Sequence, residues 1–133
     1  MRLHAHIMVG VLLALLGFEL THDVAIAAVL FFGHVLLTLD LLFKRGTHFE
    51  PMHSLLGMFI TWLPVHFYAP TFSVAYIIAY GTHLFTDFFY YDEMPILFPM
   101  DPCRTIPVKG FERAVMIGSA IGIAALVVGW MLR

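Results

Sequence analysis

His83 and Asp87 stand inside a long apolar run, Phe72 to Tyr91, and are the residues in this chain whose types and spacing first suggest chemistry. In a helix, four residues at about 3.6 per turn return to within about 40° of the starting direction, so the imidazole and the carboxylate share a face. Buried in lipid, such groups are costly unless paired, hydrated or bound to a metal, which makes intramembrane ionisable residues functional candidates by default. Other polar residues fall at a similar depth: His4 and His6 before the first apolar stretch, Asp40 at the end of the second, and His48 and His53 flanking the start of the third. Imidazoles and carboxylates brought together from four segments form a mixed nitrogen and oxygen ligand set, suited to a divalent ion such as Zn or Mn, and also to Fe or Ni. The expected metal ligands are His6, Asp40, His48, His53, His83 and Asp87. His48 or Glu50 would move protons, with solvent exposure the alternative for Glu50. His22, Asp23 and His66 fall towards the opposite end of the spans and His34 near the middle of one. All four are read as lying outside the site, the histidines as interfacial or packing residues.

The elements that must position these residues are membrane helices. Among 133 residues, 61% are hydrophobic and 12% charged, and the mean hydropathy is +0.90, far from the usual composition of soluble domains. The expected architecture is all-α: one polytopic membrane helix bundle, 1–133, with four to five transmembrane helices. Apolar stretches place spans at about 7–20, 24–43, 53–69, 72–91 and 111–131. The first is short and signal-peptide-like in outline, but the spans that follow favour a membrane helix. Pro51 suits the opening of a helix, and Pro64 predicts a kink in the third span. Pro95, Pro99, Pro102 and Pro107 break the chain between spans, so 92–110 is expected to lie against the bundle or the headgroups. Gly118 and Gly122 form a small-xxx-small pattern, read as a close helix contact and a route to a homo-oligomer through the last helix.

Charge orients the bundle. Arg2, Lys44, Arg45, Arg104, Lys109 and Arg113 fall on one side and Arg133 alone on the other. The positive-inside bias makes the first side cytoplasmic, with the N-terminus and the polar cluster on it. A formal net charge of -2 argues against nucleic-acid binding through bulk electrostatics. Cys103, the single cysteine, excludes an internal disulfide and a multi-cysteine zinc site.

Several motifs in order resemble the YdjM-type inner-membrane proteins, small multi-span proteins regarded as metal-dependent hydrolases. They are His6 with Gly10; Leu36-Leu37-Thr38-Leu39-Asp40; His48-Phe49-Glu50-Pro51-Met52-His53-Ser54; His83-Leu84-Phe85-Thr86-Asp87; and Ile96-Leu97-Phe98-Pro99. The resemblance covers roughly the first hundred residues. Thr38 stands where that family has its first aspartate, and Phe49-Glu50 replace an Arg-Gly pair. The resemblance implies a metal site in the inner membrane and hydrolysis, with a phosphate ester or lipid-like substrate as the expectation drawn from a site near the headgroups. The alternative expectation is ion or proton transfer, or a structural network.

Overall fold

The computed structural model describes residues 3–39, 50–97, 100 and 103–133. Asp40 and His48 lie outside them, and so do the side chains of Glu50 and Cys103. The chain is all-helical in architecture: α1 (Leu3–Thr21), α2 (Val24–Val35), α3 (Leu55–Tyr68), α4 (Ser73–Phe88) and α5 (Phe111–Met131), with short 3₁₀ turns at Leu36–Leu39, Glu50–His53 and Pro70–Phe72. A two-residue antiparallel ladder pairs β1 (Glu93–Met94) with β2 (Cys103–Arg104).

Local chemistry sets the helix ends. The Asp23 carboxylate caps α2 by accepting from the N–H groups of Ala25 and Ile26 at 2.7 and 3.3 Å. The Ser54 hydroxyl caps α3 by accepting from Gly57 N at 3.0 Å, satisfying donors that a helix start otherwise leaves orphaned. The α-helix thus begins after Pro51, which sits in the 3₁₀ turn before it, and continues through Pro64.

α1 packs on α2 and α5, and α2 packs on α4, which also contacts α3. Glycines permit the close approaches. A Cβ on Gly17 would meet Leu30 Cδ1 at 2.2 Å, and one on Gly33 would meet the Ala79 Cβ at 2.9 Å. Leu30, Ala75 and Ala79 form one buried apolar cluster between α2 and α4. Tyr80, Leu84 and Met94 form a second, which ties β1 to α4. Gly122 packs on Leu12 of α1, whereas Gly118 has open space beside it, so half of the small-residue pattern makes a contact within the chain. Trp130 and Arg133 both reach Glu19, joining the last turns of α5 and α1.

α1 and α5 are long and apolar enough to cross a membrane. The second expected span does not continue as an α-helix to residue 39. α2 has 12 residues and gives way to a 3₁₀ turn at Leu36, so His34 lies in its last turn rather than at the middle of a long helix.

Polarity along α4 runs opposite to that of a helix on a water-soluble protein. Its buried face carries Ser73, His83, Thr86 and Asp87 beside Ala75, Ala79, Tyr80 and Leu84. Its outer face shows Val74, Ile77, Ile78 and Phe85. Phe32, Phe59, Ile60, Phe67, Ile117 and Ile121 are likewise exposed.

Candidate metal centre

Four elements deliver one buried polar cluster. α1 brings His6 in its first turns, α2 brings His34 in its last, the 3₁₀ turn before α3 brings His53, and α4 brings His83 and Asp87 on its inner face. Each of these five residues is 0% exposed. The His53 turn is held from outside: the Tyr80 hydroxyl donates to the Met52 carbonyl, and Leu55 N donates to Ile96 O at 2.9 Å.

Hydrogen-bond partners assign the protons on three rings. His83 Nδ1 lies 2.8 Å from the His34 carbonyl, an acceptor only, so Nδ1 carries the hydrogen. The other nitrogen, Nε2, faces Asp87 Oδ2 at 3.3 Å and His53 Nε2 at 3.3 Å, and it is the atom whose lone pair the neutral ring offers to an ion. The remaining edge, from His53 Nε2 to Asp87 Oδ2, is 4.0 Å. A point equidistant from these three atoms lies about 2.1 Å from each, which matches zinc–nitrogen and zinc–oxygen bond lengths. The three ligand atoms are therefore close enough together to hold a metal ion.

His34 repeats the logic one layer out. Its Nδ1 faces the Ala79 carbonyl at 3.3 Å and Thr82 Oγ1 at 3.1 Å. The Thr82 hydroxyl donates to the Ile78 or Ala79 carbonyl at 2.8 or 2.9 Å, so it can only accept from His34. With its hydrogen on Nδ1, His34 accepts at Nε2 from His6 Nδ1–H at 3.3 Å. His6 Nε2 in turn approaches Asp87 Oδ1 at 3.1 Å, and a positive charge, a proton or an ion, must lie between two atoms that otherwise present lone pairs to each other. The His6 ring stacks on His83, with centroids 4.3 Å apart and planes 19° from parallel.

Among the described residues, two triads in the cluster have ligand atoms close enough to hold a metal: His53, His83 and Asp87, and His6, His34 and His83. His83 has a single open nitrogen, already aimed at the first triad. The second triad is instead joined by the His6–His34 hydrogen bond, so the two cannot both be filled through that nitrogen.

Of the residues selected from sequence, His6, His53, His83 and Asp87 come together here. Asp40 and His48 fall outside the described residues, as does the Glu50 side chain. His4 does not join the cluster; half exposed, it pairs with Glu112 at 3.2 Å. His66 lies apart, its ring tilted against that of Trp62 and its Nδ1 3.2 Å from Ser73 Oγ. His34 is a correction: excluded for its depth in a long span, it belongs to the cluster, because α2 ends at Val35 and the Gly33–Ala79 approach presses this turn against α4. A glycine beside a histidine, opposite an alanine four residues before His83, is the signal that could have found it. Thr38 is 2% exposed, and its hydroxyl has no hydrogen-bond partner among the described residues.

Comparison of the chain with protein-family models, curated proteins and solved structures gives no match. Fold and site define an all-helical protein with two helices fit to span a membrane and a buried histidine–aspartate cluster that could hold a metal ion.

Proposed function

We propose that this chain is a polytopic inner-membrane protein of the YdjM type, with a metal centre held by His53, His83 and Asp87 that hydrolyses a phosphate ester or lipid-like substrate at the cytoplasmic face. The observation that carries the reading is the fixed His83 tautomer, whose open nitrogen converges with a carboxylate oxygen and a second imidazole nitrogen. The inside-out polarity of α4 supports the membrane, since polar groups turned inward and apolar groups outward suit lipid as the surrounding solvent. His53, His83 and Asp87 would hold the ion, which when bound would supply an activated water and polarise the scissile oxygen. A proton between His6 Nε2 and Asp87 Oδ1 would hold the second oxygen of Asp87, while Glu50 and His48 are the proposed proton carriers. The remaining helices complete the bundle, the basic loops face the cytoplasm, and the exposed face of α5 offers a surface for a second copy.

One observation favours another reading. All five side chains are shut off from solvent, as in structural metal sites, which are closed, whereas catalytic sites keep a position open. Phosphatase and esterase assays on purified protein, before and after chelation and in a His53→Ala variant, separate the two. Hydrolysis that disappears with the metal supports the enzyme. Metal retained with no turnover of any ester, and a melting temperature that falls on chelation, supports the closed centre.

A further inference from the structure

We infer that His34 is a positioning residue of the metal centre, orienting two of its imidazoles at once; the inference rests on the metal reading above. Its backbone carbonyl accepts the His83 Nδ1–H at 2.8 Å and so commits the other nitrogen of His83 to the ion. Its side chain accepts the His6 Nδ1–H at 3.3 Å and so turns His6 Nε2 to Asp87 Oδ1, 3.1 Å away. His34 is itself held by the Thr82 hydroxyl and the Ala79 carbonyl. The chain from Thr82 through His34 and His6 to Asp87 therefore ends on the carboxylate whose other oxygen faces the ion. None of these links needs His34 to touch the metal. A group hydrogen-bonded to a metal ligand fixes its direction and basicity, and losing it costs about 10- to 100-fold in metal affinity; His6 is such a group on Asp87, and the His34 side chain holds His6 in place.

The backbone link survives any substitution, so variants at His34 isolate the side-chain link. A leucine removes the acceptor for His6, while a glutamine keeps one in its amide oxygen. Full-length protein in detergent is titrated with Zn²⁺ against a chromophoric chelator and with Co²⁺ followed by visible absorption, and the melting of metal-free samples is recorded beside them. His34→Leu is expected to bind Zn²⁺ about 10- to 100-fold more weakly and to move the Co²⁺ bands. His34→Gln is expected to stay within about threefold of wild type and to keep the bands, because the hydrogen bond to His6 only changes its acceptor. A purely structural histidine would lower metal-free melting in both variants and leave the Co²⁺ spectrum alone. Wild-type affinity in His34→Leu, or glutamine as weak as leucine, overturns the inference. If His34→Leu does not fold, Thr82→Val decides: weaker Zn²⁺ binding at unchanged metal-free melting supports the chain, and unchanged binding refutes it. Failure of wild type itself to bind either ion overturns the metal centre, a result distinct from failure at His34 alone.

Discussion

Replacing His83 by asparagine tests the centre with little disturbance of the fold. The asparagine amide can still donate to the His34 carbonyl, which His83 Nδ1 now holds at 2.8 Å, but it has no atom at the place of Nε2, where the imidazole meets Asp87 Oδ2 and His53 Nε2 at 3.3 Å. In metal-free protein the loss is one shrunken buried side chain, about 1–2 kcal/mol. With metal the difference is larger. Ligand at about 1,000 times its dissociation constant stabilises the folded state by about 4.1 kcal/mol. Outer partners alone are worth up to about 100-fold in affinity, so losing a direct ligand leaves the same metal concentration at about ten times the new dissociation constant or less, and a stabilisation of at most about 1.4 kcal/mol. The gap, about 2.7 kcal/mol, corresponds to roughly 10 °C in the metal-induced rise of melting temperature for a chain of this size. The assay is thermal unfolding of wild type and variant in detergent, each with chelator and with excess Zn²⁺. Equal shifts in both proteins, or no shift in wild type, would refute the assignment of His83 as a ligand.

Further expectations follow from other parts of the fold. Lowering the pH should release the metal, because imidazole ligands must be neutral and protons compete for the same lone pairs; the sign is weaker binding at lower pH, read by chelator competition between pH 7.5 and 5.5. Asp23→Ala removes an acceptor of two helix N–H groups and should cost about 1 kcal/mol in stability without changing metal affinity, as unfolding and titration together would show. Gly17→Val drives a side chain into Leu30 and should destabilise by about 1–3 kcal/mol, whereas Gly118→Ala, with open space around it, should leave melting unchanged.

Much of the site was legible in the sequence because ionisable residues in apolar runs must answer for their burial. His83 and Asp87 needed only helical spacing, and His6 and His53 followed from depth once the spans were counted. His34 was not legible by depth, since the reading assumed one long helix from 24 to 43, and the switch to 3₁₀ geometry at Leu36 moved His34 from mid-span to a helix end. The pairing of Glu93–Met94 with Cys103–Arg104 was hidden for a related reason: prolines announce the end of a helix but not which backbone groups will satisfy one another across the break. The small-residue pattern at Gly118 and Gly122 says that helices can approach there, and only packing reveals that Gly122 alone meets Leu12.

Metal content of the purified chain bears most directly on the central claim. Elemental analysis of wild type and His83→Asn, purified without chelator, should find close to one zinc or manganese ion per wild-type chain and almost none in the variant. Wild-type protein that folds, melts cooperatively and carries no transition metal, even after incubation with Zn²⁺ or Mn²⁺, would contradict it and leave the buried histidines as a hydrogen-bonded network alone.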